Sequence, residues 1–301
     1  MSEIFEIDAP AKINLTLRVL AQETSGFHAL ETVFCAISLV DTVRVQRGGG
    51  EIDLRVEGGI DTGPARDNLV VRAARAFYLE LGGLETGVRI ELRKRIPAEA
   101  GLGGGSSDAA ATLLALNALH HAPLSPETLL QLGIGLGSDV PFFLGGSPLA
   151  LGWSRGERLL ALPPLPPRPV LVAHPGVGIS TGAAFQRIAE LRGGSYEPRA
   201  ARFTLEQLSS WDRIAELAAN DFQQPADEEI PTLGPARRRM RLAGADLALL
   251  AGSGAAIFGI FPDADARDRA ALDLQADGFV IWSAETLTRL PLPHQVGAPH
   301  R

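Results

Sequence analysis

Between the alternating segment Val88, Ile90, Leu92 and an Ala/Leu-rich stretch that ends near Leu119 lies Gly101-Leu102-Gly103-Gly104-Gly105-Ser106-Ser107-Asp108. Four glycines in five residues suit neither a strand nor a helix interior, because glycine gives up the most backbone freedom on ordering. The segment reads as a loop joining a strand to a helix, with the helix expected from about Ser107 to Leu119. Such a loop lets backbone N–H groups approach an anion, and the following helix turns its positive dipole end toward it. Phosphate is the natural ligand. A plain tight turn or close helix packing are the alternatives.

The usual nucleotide signatures are absent. GxxxxGK[ST] fails for want of its lysine, and GxGxxG fails because Ser106 stands where the third glycine belongs. A dinucleotide-binding oxidoreductase is thereby disfavoured, the more so because the first sheet reads as mostly antiparallel. The Ser106 and Ser107 hydroxyls sit at the helix start, where they serve phosphate, Mg²⁺ or simply the helix cap.

Alternating apolar residues predict strands over 4–7, 13–19, 32–37, 42–46, 52–56 and 88–92. A helix is expected from an Asp67/Asn68 cap to Leu81, ended by Gly82 and Gly83, and another from Ser125-Pro126 to about 133–137. Pro163, Pro164, Pro166, Pro167 and Pro169 form a stiff run near mid-chain that no helix interior tolerates. The domain boundary is placed there, giving domains 1–162 and 163–301. The second half reads as strands 170–174, 247–250, 255–261 and 279–282 with helices 181–191, 205–219, 235–243 and 264–276. Both halves are α+β.

With 301 residues, 46% of them hydrophobic, the chain has ample material for large cores. A net charge of -7 and no basic stripe argue against nucleic acid as a partner. Long uncharged stretches are broken by Pro or Gly, so no membrane partner is expected. The lone Cys35 and the acids Glu3, Glu6 and Asp8 at the start point to the cytoplasm. Of 28 basic residues 26 are Arg, and only Lys12 and Lys94 are Lys. Arginine cannot replace a compact point charge in a tight site, which points to a special role for at least one of the two lysines, the alternative being two stragglers by chance.

Lys12 and Asn14 share one face of a strand, with Ile13 and Leu15 on the other. Asp139, in Gly137-Ser138-Asp139-Val140-Pro141-Phe142-Phe143, is either a turn former or a catalytic carboxylate. A point charge, a phosphate cradle and a proton acceptor are together the parts that phosphoryl transfer needs. The tract Arg237 to Arg239 with Arg241 reads as a solvated helix face.

The segments PAKINL from Pro10, GFH from Gly26, DNLVVRAAR from Asp67, KRIPAEAGLGGGSSDAA from Lys94, GSDVPFF from Gly137, HPGVGIST from His174 and AGSGAA from Ala251 run in order along nearly the whole chain. In these the chain resembles the GHMP small-molecule kinases. The resemblance implies a two-lobed fold, with an N-terminal α+β ATP-binding lobe and a ferredoxin-like C-terminal lobe. It implies ATP and Mg²⁺, and a small-molecule substrate carrying a cytidine diphosphate, a linked methylerythritol phosphorylated on its 2-hydroxyl in the non-mevalonate isoprenoid pathway. By the same resemblance Asp139 takes the hydroxyl proton and Lys12 is its charged partner. Asn14 and Thr181 contact substrate, His28 meets the cytosine edge, and Phe27 and Phe185 stack on its faces. Phe27 stands where the family usually has Tyr, which keeps stacking and loses a hydroxyl. ATP is implied to meet the loop at Gly101, Leu102, Gly103, Gly104, Gly105, Ser106 and Ser107, with Asn68, Lys94 and Asp108 near the nucleoside. Asp108 stands where relatives often have Asn. Gly252-Ser253-Gly254 matches a further family glycine motif, or is an ordinary hairpin turn. Monomer and weak homodimer both stay open.

Overall fold

The computed structural model describes residues 3–22, 28–60, 62–83, 87–193 and 203–297. Strands β1 (Ile4–Gln22) and β2 (His28–Arg47) form one long antiparallel ribbon. The sequence reading divides each into two strands. The structure carries each through as one, because register shifts at Pro10/Ala11, Asn14/Thr16 and Val19/Ala21 let the ribbon bend without ending.

Strand β3 (Ile52–Glu57), helix α1 (Leu69–Glu80) and strand β4 (Val88–Arg93) follow, with β3 parallel to β4 and β4 antiparallel to the Thr42–Arg47 half of β2. Asn68 caps α1 by accepting from the Val70 N–H at 2.9 Å. Helix α2 (Gly104–Leu119) starts three residues before the expected Ser107. Gly103, at φ 69°, takes the left-handed turn that launches it, so the last two glycines belong to the helix's first turn. Helices α3 (Pro126–Leu136) and α4 (Val140–Leu144) complete the helical layer. A hairpin, β5 (Leu149–Ser154) and β6 (Arg158–Ala161), then adds to the other half of β2. It escapes the sequence reading because most of β5 is buried on both faces, which erases the alternation.

The second half contains β7 (Pro169–His174), α5 (Thr181–Leu191), α6 (Trp211–Leu217), β8 (Ala219–Asn220), α7 (Gln223–Glu229), α8 (Leu233–Leu242), β9 (Leu247–Leu250), β10 (Ile257–Ile260), α9 (Ala264–Ala276), β11 (Val280–Glu285) and β12 (His294–Gln295). Its sheet has the order β11-β7-β10-β9 with antiparallel neighbours, the split βαβ arrangement of ferredoxin-like folds. The helix expected over 205–219 is cut to α6 because the Ser210 hydroxyl accepts from the Arg213 N–H and starts the helix there. Arg237 is not on a solvated face. It is buried and grips Asp227 with two hydrogen bonds, at 3.0 and 2.7 Å.

Three apolar clusters hold the fold. One packs α1, α2 and α4 on the first sheet, around Phe77, Leu113 and Phe142. One lies between the two sheets, joining Ile13, Leu15 and Ile37 to Val172, Leu249 and Phe258. The third lies beneath α5, α7, α8 and α9, around Phe222, Met240 and Phe261. Past the second sheet the chain returns to the first, where β12 pairs with β1. Among the described residues no helix is long and apolar enough to cross a membrane.

Candidate active site

A cleft of about 1040 Å³ opens between the two halves. On its floor, β1 presents Lys12 and Asn14 side by side. The Lys12 ammonium donates to Asn14 Oδ1 at 2.9 Å, Asn14 Nδ2 donates to Thr32 Oγ1 at 2.8 Å, and the Thr32 hydroxyl donates to the Thr16 carbonyl at 2.7 Å. Each link fixes the orientation of the next, so the buried ammonium has a defined place. Its stem passes beneath the glycine loop, where a methyl group on Gly103 would lie 2.9 Å from Lys12 Cγ. The Lys12 N–H donates to the Leu102 carbonyl at 2.9 Å, tying the strand to that loop.

Asp139 faces this ammonium, with Lys12 Nζ 3.4 Å from its Oδ2. It sits at the N-cap of α4 but makes no side-chain cap bond, so its carboxylate is not spent on the turn. Its side chain is 30% exposed, against 5% for Lys12. The pair therefore has a fixed, dry cation and a carboxylate open to the cleft.

Of the loop, Gly101, Leu102, Gly103, Gly104, Gly105 and Ser106 line the cleft. The N–H groups at the start of α2 have no partner within the helix and point out of its N-terminus. Ser107 is different. It is buried, its N–H bonds the Gly103 carbonyl, and it borders a separate crevice of about 10 Å³ beside Pro10 and Leu114, facing away from the main cleft.

Lys94 and Asp108 also line the cleft and meet directly. Lys94 Nζ donates to Asp108 Oδ2 at 2.7 Å and to Asp41 Oδ2 at 2.5 Å, all three residues being buried. Asp41 Oδ1 accepts from the N–H groups of Arg95 and Ile96, at 2.5 and 2.9 Å. Burial holds the Asp108 carboxyl above the usual carboxylate range; Lys94 opposes this and Asp41 reinforces it. Burial alone would lower the Lys94 ammonium, but Asp108 and Asp41 together outweigh it and raise it. Asp41 was not singled out by the sequence reading. Its signal is an aspartate in the interior of a strand, a place where that residue is depleted.

At the other end of the cleft, His28 stacks on Phe185 with ring centroids 4.6 Å apart and planes 18° apart. Burial, then the charge of Arg192, hold the His28 imidazole below its usual pKa. Phe185 rests edge-on against Phe222 at 4.9 Å. Thr181 Oγ1 lies 3.0 Å from Ser253 Oγ, which links the start of α5 to the Gly252–Gly254 turn. Asn68 also lines the cleft. Phe27 lies outside the described residues. Arg155 and Glu99 also line the cleft, and neither stood out in the sequence.

The fold and cleft match a known class. Residues 68–147 match the model for the GHMP kinases N terminal domain, and residues 204–279 match that for GHMP kinases C terminal. The chain belongs to the GHMP kinase family and is a small-molecule kinase that uses ATP. A homoserine kinase from Cytophaga hutchinsonii shares the fold at 20% identity, covering 97% of each chain with a TM-score of 0.70.

Within that family the similarity is narrower. A 4-diphosphocytidyl-2-C-methyl-D-erythritol kinase from Solibacter usitatus is 43% identical over 87% of this chain and 83% of its own, and one from Moorella thermoacetica is 38% identical over 91% and 95%. A crystal structure of 4-(cytidine 5'-diphospho)-2C-methyl-D-erythritol kinase aligns with a TM-score of 0.76 at 38% identity, covering 93% of this chain and 98% of that one. The chain falls in the 4-diphosphocytidyl-2-C-methyl-D-erythritol kinase group of the GHMP kinases.

Proposed function

We propose that this kinase transfers the γ-phosphoryl group of ATP to the 2-hydroxyl of 4-diphosphocytidyl-2-C-methyl-D-erythritol, in the non-mevalonate isoprenoid pathway, with Asp139 accepting the hydroxyl proton and Lys12 as its charged partner. The observation that carries this reading is the Lys12–Asp139 pair, 3.4 Å apart, placed between a phosphate-type loop and an aromatic pair.

The substrate oxygen forms a bond to the γ-phosphorus as the bond from that phosphorus to the β,γ-bridging oxygen breaks, and ADP leaves. The hydroxyl proton passes to Asp139 and from there to solvent. General-base help of this kind contributes about 10²- to 10⁴-fold, so positioning and charge stabilisation supply the rest. Lys12 holds its charge beside the reacting oxygens, and Asn14 holds Lys12. The N–H groups at the start of α2, with the Ser106 hydroxyl, receive the nucleotide phosphates. Asn68, Lys94 and Asp108 border the nucleoside, with Asp41 fixing Lys94.

Support for the cytidine is the His28–Phe185 pair. A neutral imidazole both donates and accepts at a pyrimidine edge, and the Phe185 ring offers a face for stacking. Thr181 lines this end of the cleft, and Phe27 is assigned to the cytosine by the family resemblance. The division into domains 1–162 and 163–301 belongs to the same reading; the second sheet is built wholly from the latter, while β8 and β12 of that half pair with β1 in the first sheet.

Mg²⁺ is the expected counter-ion of ATP. It favours oxygen ligands and keeps several waters, so one or two protein oxygens suffice beside the phosphates. The Ser106 hydroxyl on the cleft wall fits that need and would hold it beside the phosphates. When bound it neutralises phosphate charge. The reaction is placed in the cytoplasm, consistent with a lone Cys35 held as a buried free thiol.

The test is ADP release by purified protein with Mg²⁺-ATP, comparing 4-diphosphocytidyl-2-C-methyl-D-erythritol with mevalonate, homoserine and galactose. Turnover confined to the cytidyl compound is expected. Turnover with another alcohol instead would overturn the substrate assignment, and no turnover with any would count against the reading as a whole.

A further inference from the structure

The Gly252–Gly254 turn closes the cleft from the second half, and where it meets the Gly101 loop it does so with bare backbone. A methyl group on Gly252 would come within 2.7 Å of the Gly101 carbonyl oxygen and 3.2 Å of Lys12 Nζ. A methyl group on Gly101 would lie 1.9 Å from the Ala251 carbonyl oxygen. Two glycine turns from opposite halves thus meet over the lysine, and a glycine has no side chain with which to lock such a fit. Ser253 ties the turn to Thr181 on one side, and a second restraint comes from behind it.

Asn220 lies there. Its buried amide donates one N–H to the Leu250 carbonyl at 2.9 Å and the other to the Gly252 carbonyl at 2.8 Å, while its Oδ1 accepts the Phe222 N–H at 2.9 Å. These bonds assign the amide orientation without ambiguity. The residue is itself fixed to the strand that carries Lys12. Strand β8 runs parallel to β1 with Ala219 opposite Thr16 and Asn220 opposite Leu17, and the Asp221 N–H donates to the Leu17 carbonyl at 3.0 Å. The Asp221 carboxylate in turn accepts the Val19 N–H at 2.9 Å and pairs with Arg192 at 2.7 Å. Asn220 therefore spans the two elements whose separation sets the space above the ammonium.

We propose that Asn220 is a positioning residue for phosphoryl transfer, holding the Gly252–Gly254 turn at a fixed height over Lys12 and the Gly101 loop. It touches neither reactant. Its influence is on the geometry of the lysine and the backbone around the transferring group, so its loss lowers kcat more than it raises either KM. Misplacement by about 1 Å costs on the order of 10²-fold in rate.

The inference rests on the kinase reading above, and the assay separates the two. Wild-type turnover of the cytidyl substrate is measured first, and its absence would count against that substrate rather than against Asn220. Asn220→Ala and Asn220→Asp are then compared with Asp221→Asn, which weakens the same strap without touching the Gly252 turn. The Asp variant keeps the acceptor for Phe222 but turns an oxygen toward two carbonyls. Expected are kcat values down roughly 10- to 100-fold in both Asn220 variants, both KM values within about threefold of wild type, and an unchanged kcat in Asp221→Asn despite a lower melting temperature. Full kcat in the Asn220 variants, an equal kcat loss in Asp221→Asn, or a change confined to KM would overturn the proposal. So would the failure of both Asn220 variants to fold, which would make Asn220 a residue of the fold alone.

Discussion

Removing the charge at position 12 separates electrostatics from shape. In Lys12→Met the stem keeps its length and apolar character, while the ammonium 3.4 Å from Asp139 Oδ2 is lost. Two unit charges at that distance interact by about 5 kcal/mol at an effective dielectric of about 20. Asp139 is 30% exposed, so solvent screening reduces this to roughly 2–3 kcal/mol. The same charge acting on the oxygens of the transferring phosphoryl group is worth a similar amount in the transition state, and at about 1.4 kcal/mol per factor of ten kcat is expected to fall on the order of 10²-fold, with KM for ATP changing less. The variant also leaves the buried Asn14 Oδ1 without its donor, which costs about 1–3 kcal/mol of stability. Lys12→Arg restores charge but not fit. The ammonium lies where methyl groups on Gly103 and Gly252 would touch the lysine, and a planar guanidinium needs more room than the two glycines leave. Steady-state kinetics with the cytidyl substrate, alongside urea unfolding, reads both effects. The reasoning fails if Lys12→Met keeps kcat within threefold of wild type, and the steric part fails if Lys12→Arg recovers most of the activity.

Other changes test other parts. Asp139→Asn should lower turnover by about 10²- to 10⁴-fold while equilibrium dialysis still detects the cytidyl substrate; near-normal turnover removes Asp139 as the base. Gly101→Ala places a β-carbon on the Ala251 carbonyl at a backbone φ of 75°, so a stability loss above about 2 kcal/mol and a matching loss of ATP turnover are expected. A wild-type urea midpoint would show that the two turns are not in contact. Burial holds His28, His120 and His174 below the usual histidine pKa. Because the folded state resists protonating them, stability is complete above about pH 6.5 and is lost as pH falls below it. His174→Gln should lessen the drop in urea midpoint between pH 7.5 and pH 5; an identical drop would assign it to other groups.

Local features were the most legible in the sequence. The glycine loop, the Asn68 and Ser125 caps and the Lys12/Asn14 face depend on a few adjacent residues, and each signal is tied to backbone geometry or strand period. The start of α2 was misplaced because glycine's poor helix propensity masks a first turn that needs no side chain. Strands β1 and β2 looked like four because bulges interrupt the alternation without ending the pairing. The β5–β6 hairpin, whose first strand is buried on both faces, gave no period at all. Asp41 and Asn220 lay beyond sequence reasoning for another reason: each acts on residues more than 25 positions away, Asp41 on the chain just past β4 and Asn220 on the end of β9, so its role exists only once the tertiary fold has formed.

Both lysines of the chain are buried in the cleft wall, one under each part of the glycine loop, while the surface carries its positive charge as arginine. Amine-directed chemistry therefore finds almost nothing on the outside of this molecule. Acylating reagents, cross-linkers and lysine-modifying enzymes reach a lysine side chain of this sequence only by a passage into the site itself. A small amine-reactive probe would thus act as a gauge of cleft occupancy, with labelling at Lys12 or Lys94 suppressed whenever nucleotide or substrate is in place.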